Sequence, residues 1–220
     1  MKNYRLIIFD VEGTLAVRDA PRMMRHAEAF FIRLAAQYPG SGGPLIALAA
    51  NQGGVGLRRW MELNGFGKPN TLPTQREAEQ YIQGIANHIR RIYGPPDVYI
   101  SFAFQSQKGK WAPVPPEGRG DPRWQPGWRK PASGMLVAAM THAGVSPGES
   151  LMVSDDISGA EAARAAGCDF VWADQLLGKP GFFQLDRFER KKLYQFAGAG
   201  LALLACLCCL LIGLVGQQGG

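Results

Sequence analysis

Leu6-Ile7-Ile8-Phe9-Asp10-Val11-Glu12-Gly13-Thr14-Leu15 decides how the rest of the chain is read. A short apolar, β-branched run that stops at an acid suits a strand buried on both faces of a parallel sheet. A second acid follows two residues on, and then a glycine. In open α/β sheets ligands collect at the carboxyl ends of the strands. Asp10 and Glu12 would therefore share a crevice, with Gly13 turning the backbone beneath them. Two carboxyl groups so placed can divide the work of nucleophile and general acid, or hold a hard cation. The plainer alternative is a strand that ends in a polar turn.

Outward from this stretch, 220 residues suffice for one α/β domain with a core and a remainder. The formal charge of +6 is compatible with phosphorylated substrates, nucleic acid or an anionic membrane, and selects none of them. Cys168, Cys206, Cys208 and Cys209 form neither a disulfide framework nor paired zinc ligands, which points to a reducing compartment. Met1 to Arg5 run directly into the first strand, so no export signal is expected. From Phe196 to Val215 there is no charged residue. A helix of that length spans roughly 30 Å, the thickness of a bilayer core. The expectation is a C-terminal transmembrane helix over 196–215, with a buried core helix as the alternative. Arg187, Arg190, Lys191 and Lys192 precede it and would keep the domain on the cytoplasmic side. The implied organisation is a domain over 1–177, a basic connector over 178–195, the membrane span, and a short tail over 216–220.

Periodicity supplies the remaining elements. Met24, Ala27, Phe31 and Leu34 predict a helix over 21–38. A second buried strand follows over 44–50, then a glycine-rich turn over 51–56. Thr74 and Glu77 form a capping box for a helix whose apolar face is Tyr81, Ile85, Ile89 and Ile92. Val98 and Ile100 alternate as a third strand that could reach Phe102 and Phe104. Residues 106–128 lack periodicity and are rich in proline, basic residues and tryptophan. Such a loop could stack a sugar or base, lie on lipid headgroups, or be a solvated insertion with its tryptophans tucked onto the domain. A helix through Met140, a strand over 151–153, a helix over 157–166 and a strand over 169–172 complete the reading. His26, His88 and His142 stand on separate helical segments, where packing or surface roles suit them better than ligation.

Four predicted strand ends thus carry chemistry: Asp10 with Glu12, Asn51, Lys130 before a helix, and Asp155. In this order FDVEGTL, AANQGGVG, WRKPASGM and LMVSDDISGAEAARAAG resemble the four motifs of the haloacid dehalogenase (HAD) superfamily of phosphohydrolases over residues 4–175. NQGG and RKPxxGM are similar to subfamily IIIA, which includes heptose-bisphosphate, histidinol-phosphate and polynucleotide 3′-phosphatases. The resemblance implies a Rossmann-like three-layer α/β sandwich with a parallel sheet. It also implies that Asp10 attacks phosphorus, Glu12 serves as acid and then base, and Asn51, Arg129 and Lys130 bind phosphate. Magnesium would lie between Asp10, the main-chain carbonyl of Glu12, and Asp155.

Three positions depart from the family pattern. Glu12 replaces an aspartate. Ala50 replaces a Thr or Ser that bonds phosphate, a loss of about 1.5–3 kcal/mol. Gly159 replaces a second acid of the fourth motif, a loss of roughly 10- to 100-fold. The interval from Asp10 to Asn51 is too short for a large cap, so the site would be open or borrow a lid from the 106–128 loop. That loop contains neither Cys nor His, so zinc is not expected. The reading is a membrane-anchored phosphatase acting on a phosphorylated small molecule. The alternatives are a catalytically weakened binding module and a nucleic-acid end-processing enzyme.

Overall fold

In the computed structural model the described residues are 3–178, apart from 18, 19, 21 and 41. Five strands, β1 (Leu6–Phe9), β2 (Leu45–Asn51), β3 (Asp97–Ser101), β4 (Ser150–Ser154) and β5 (Asp169–Trp172), build one sheet. The order is β3-β2-β1-β4-β5, and every pairing is parallel. The helices are α1 (Arg25–Gln37), α2 (Gly53–Asn64), α3 (Gln75–Ile92), α4 (Gly134–Ala143), α5 (Ile157–Ala166) and the short α6 (Ala173–Leu177).

Strand side chains alternate between the two faces of a sheet. Ile7 and Phe9 pack with Phe31 of α1 and Ile82, Ile85 and Ile89 of α3. Leu6 and Ile8 pack with Met135 and Leu136 of α4 and Ala162 and Ala163 of α5. A strand between two helical layers has no face to give to water, which is why β1 is apolar at every position. The expected three-layer sandwich is present, and no domain is inserted between β1 and β2. Because all strands run one way, their carboxyl ends share one rim. The chain order reverses at β1, and a crevice opens there beside β4.

Several boundaries differ from the periodicity. α1 begins at Arg25 rather than near residue 21, because Met23 bridges Ala16 and the Met24 N–H donates to the Leu15 carbonyl. β3 stops at Ser101, because the N–H groups of Phe102 and Ala103 turn to the Arg123 carbonyl, at 2.7 and 3.2 Å. The loop that follows has no long element, as expected, but two of its three tryptophans are committed. Trp124 is buried against Phe102, and the Trp128 indole donates to the Ile100 carbonyl. Those two rings are not free to stack a base.

Within the expected glycine-rich turn over 51–56, Asn51 instead ends β2, Gln52 is the N-cap of α2, and residues 53–56 form its first turn. Its glycines are there for close approach. A Cβ on Gly56 would run into the Phe102 carbonyl oxygen, and one on Gly53 would come 2.8 Å from Arg129 Nη1. The expected connector beyond residue 178, the transmembrane helix and the tail lie outside the described residues. Among the described residues no helix is long and apolar enough to cross a membrane.

Gly56→Ala should destabilise the domain by about 1–3 kcal/mol, since the colliding atom is backbone. Gly54→Ala, which meets only Pro73 at 3.1 Å, should stay within about 1 kcal/mol of wild type. Urea denaturation of the two variants checks this.

Candidate active site

Asp10 continues the ladder one residue past β1, its N–H donating to the Val153 carbonyl at 2.9 Å. Its carboxylate is held from three sides. The Val11 N–H donates to Oδ1 at 2.7 Å, the Ser154 hydroxyl donates to Oδ2 at 3.1 Å, and Lys130 Nζ lies 2.7 Å from Oδ1. Lys130 is 2% exposed. Its contact with Asp10 is a close charge pair without hydrogen-bond alignment, and its ammonium has no aligned acceptor elsewhere. The donors of a buried cation are thus left for another anion.

What holds Lys130 is Asn51. The amide Nδ2 donates to the Lys130 carbonyl at 2.9 Å, and the Lys130 N–H donates to Oδ1 at 3.1 Å. The side chain of Asn51 is therefore spent on the backbone of Lys130, and its expected phosphate contact falls to its main chain. Arg129 donates to the Ala103 carbonyl at 3.2 Å. Burial lowers the Arg129 pKa, and the charges of Asp10 and Asp156 oppose the shift. Asp10, Glu12, Asn51, Arg129, Lys130 and Asp155 all line one crevice of about 380 Å³. The expected site residues, dispersed in sequence, meet at the rim where the sheet reverses.

Asp155 is placed by Thr14, a residue not assigned a role from the sequence. The Thr14 hydroxyl donates to Asp155 Oδ1 at 2.9 Å and accepts from the Asp155 N–H at 3.0 Å. Asp155 is exposed at the mouth of the crevice, yet its carboxyl lies close against protein. That desolvation raises its pKa; the Thr14 bond opposes it, and the charges of Asp10 and Asp156 add to it. Gly13 has φ +80°, and a Cβ there would strike the Asp155 carboxylate. The glycine serves both the turn and the close approach.

Asp156 does not stand in for the missing second acid. Its carboxylate accepts the Ser158 N–H at 2.7 Å and caps α5. Burial pushes its pKa up, but the Ser158 bonds and the charges of Lys130 and Arg129 outweigh it and leave the pKa low. The room at position 159 is taken by Ser154, since a Cβ on Gly159 would overlap the Ser154 side chain. Ser154, fully buried, bonds Asp10 and accepts the Asp156 N–H at 3.1 Å. A hydroxyl beside Asp10 thus occupies the space an acid at 159 would need.

Among the described residues, no group of three or more His, Cys, Asp or Glu side chains is arranged to hold a metal ion. Acidic residues that line the crevice, among them Asp10, Glu12 and Asp155, offer oxygen donors. An all-oxygen set of this kind fits a hard dication that keeps several waters, and fits neither zinc nor a soft metal.

Gly159→Ala should cost about 1–3 kcal/mol of stability through overpacking against Ser154. The double variant with Ser154→Gly should be destabilised by less than the sum of the two single changes, because the two positions share one space. Chemical denaturation of the two single variants and the double variant measures the coupling.

The HAD-hydrolase-like family model matches residues 127–175, the segment from just before Lys130 through β5. No curated protein matches the chain. Among solved structures, the chain is similar to D,D-heptose 1,7-bisphosphate phosphatase from B. bronchiseptica, complexed with magnesium and phosphate. That match has 18% identity and a TM-score of 0.51, over 77% of this chain and 79% of that one. A HAD-like phosphatase candidate from Mesorhizobium loti matches at 17% identity and a TM-score of 0.47, over 76% and 71%. NagD from E. coli K-12 matches at 15% and 0.38, over 78% and 88%. The sheet order, the family-model match over residues 127–175 and the likeness to the B. bronchiseptica structure agree on a HAD-like fold.

Proposed function

We propose that this protein hydrolyses a phosphomonoester of a small molecule, with magnesium, through an aspartyl-phosphate on Asp10. One observation carries the reading: the buried Lys130 ammonium, 2.7 Å from Asp10 Oδ1, has donors that no acceptor takes. A desolvated cation with unspent N–H groups, at the wall of an open crevice, is suited to the oxygens of a phosphate. Arg129 adds a second positive charge on the same wall.

In the first step a carboxylate oxygen of Asp10 bonds to phosphorus while the bond from phosphorus to the ester oxygen breaks. Glu12 gives its proton to the departing oxygen, so a neutral alcohol leaves. In the second step the Glu12 carboxylate takes a proton from water, and the water oxygen bonds to phosphorus. The bond from phosphorus to Asp10 breaks, which restores the carboxylate and releases inorganic phosphate. Ser154 and the Val11 N–H hold the Asp10 carboxylate in one orientation through both steps, and Lys130 and Arg129 offset charge on the transferred group. Magnesium, when bound at Asp10, Asp155 and the Glu12 carbonyl, supplies further neutralisation of the phosphate oxygens. The magnesium and phosphate in the B. bronchiseptica relative support this part of the reading.

A second reading, phosphate binding with little turnover, is favoured by Ala50. It lines the crevice where the family pattern has a hydroxyl. On the sequence alone, we further propose that residues 196–215 anchor the domain to a membrane with its site facing the cytoplasm.

Asp10→Asn should lower kcat/KM on aryl phosphates by at least about 1,000-fold. Lys130→Ala should lower it by about 100- to 1,000-fold. Removing magnesium with a chelator should abolish turnover until the ion is returned. Equal rates for wild type and Asp10→Asn would end the phosphatase reading; phosphate binding without turnover would favour the second. The full chain should resist carbonate extraction from membranes, and one truncated before Phe196 should be released.

A further inference from the structure

Which alcohol carries the phosphate is decided outside the crevice. Resting on the phosphatase reading, we propose that the leaving group lies in a second, adjoining cavity. This cavity admits an uncharged or cationic alcohol with an apolar flank and rejects one bearing a carboxylate or second phosphate.

The second cavity also measures about 380 Å³, a volume ordinary for a small-molecule site. It shares Glu12 and Gln52 with the crevice. It therefore opens from the side on which a departing oxygen would meet its proton donor. An ester with its phosphate at Lys130 has its alcohol directed past Gln52 into this space.

The walls define what fits. Pro73, Ala78 and Tyr81 give the cavity an apolar side, and the Tyr81 hydroxyl is tied to the Val17 carbonyl at 3.2 Å. Its charged liners are Glu12 and Glu77, and among the described residues no cation lines it. The crevice next door has the opposite character, with Lys130 and Arg129. Glu77 is fixed in place by the capping box of α3, where one of its carboxylate oxygens accepts both the N–H and the hydroxyl of Thr74 at 2.8 Å. These bonds also hold its pKa below the usual carboxylate range. Arg58, whose charge acts on Glu77, is itself committed to Glu62 at 2.9 Å and to the Leu72 carbonyl at 2.8 Å. An anionic alcohol here would lie beside the Glu77 carboxylate and a Glu12 that carries its proton for the leaving oxygen, with no cation among the described lining residues.

Gln52 is the second, independent observation. It is 8% exposed and lines both cavities, and its amide Nε2 has no hydrogen-bond partner. A buried donor without an acceptor is costly and uncommon in a native structure. Its terminal torsion is a broad one, so the amide can turn to an oxygen passing between the cavities. A hydroxyl or ether oxygen of the alcohol would satisfy it.

The test uses the full chain and three phenyl phosphates that differ only in the para substituent: aminomethyl, methyl or carboxymethyl. The expected kcat/KM for the aminomethyl ester exceeds that for the carboxymethyl ester by about tenfold or more at low salt. In Glu77→Gln that ratio should fall to within about threefold; glutamine preserves the capping box, so α3 is retained. Equal kcat/KM for all three esters, in a protein whose turnover still depends on Asp10, overturns the cavity assignment and leaves the phosphatase reading standing. A preference that survives Glu77→Gln unchanged also overturns the assignment. Turnover of none of the esters above the Asp10→Asn background overturns both.

Discussion

The buried pair of Lys130 and Asp10 is the constraint on which the site depends. Taking two charges out of water costs several kcal/mol per ion, by a rough general figure, and is recovered only if each finds partners. Asp10 finds them in the Val11 N–H, the Ser154 hydroxyl and the ammonium itself. Lys130 does not, because its charge is paired but its N–H groups are not bonded. The domain therefore carries unmet hydrogen-bonding capacity on one buried cation, placed where the strand order of the sheet reverses.

That arrangement is built by backbone as much as by side chains. Lys130 lies outside the regular elements, and the Asn51 amide clamps its peptide groups from the end of β2. Asp155 is clamped in the same manner by Thr14 from the turn after β1. In both cases a neutral side chain on one strand end fixes a charged residue contributed from elsewhere. At Lys130 the clamp uses only peptide groups and leaves the ammonium unspent, whereas at Asp155 it takes one carboxylate oxygen and leaves the other. Gly13 and Gly53 permit the approach, since a Cβ at either would intrude on Asp155 or Arg129.

The parts of this design that were legible in the sequence are those enforced by burial. β4 is buried along its whole length and extends its apolar run by one residue at each end, as a segment between layers requires. β5 and α5, which carry polar residues, have the bounds that the strand pattern and the Gly167 cap predict. The charged strand ends were legible for the complementary reason, that an acid or lysine interrupting such a run needs a purpose. Features set by a partner distant in the chain were not legible. β3 ends early because Arg123 offers a carbonyl, and α2 starts in a glycine cluster because the Phe102 backbone passes against it. Glycine is ordinarily a sign of a turn, and only the neighbour reveals that here it makes room. The hydroxyls of Thr14 and Ser154 were in view within the quoted motifs, but a hydroxyl carries no sequence signal of what it bonds.

Position 159 shows how such departures are to be weighed. Read alone, glycine in place of an acid is a loss to the site. Read with Ser154, it is half of an exchange. The serine hydroxyl takes the space, bonds Asp10 and accepts the Asp156 N–H, while the glycine yields that space. An acid at 159 would add a negative charge beside Asp10, Asp155 and Asp156, where burial and like charges already raise the Asp155 pKa. A neutral donor instead steadies Asp10 and adds no repulsion. The same reasoning does not rescue Ala50, because none of the described contacts supplies a hydroxyl in its place. The two departures are therefore different in kind: one is a rearrangement within the site, and the other leaves a hydroxyl of the family pattern without a replacement among the described contacts.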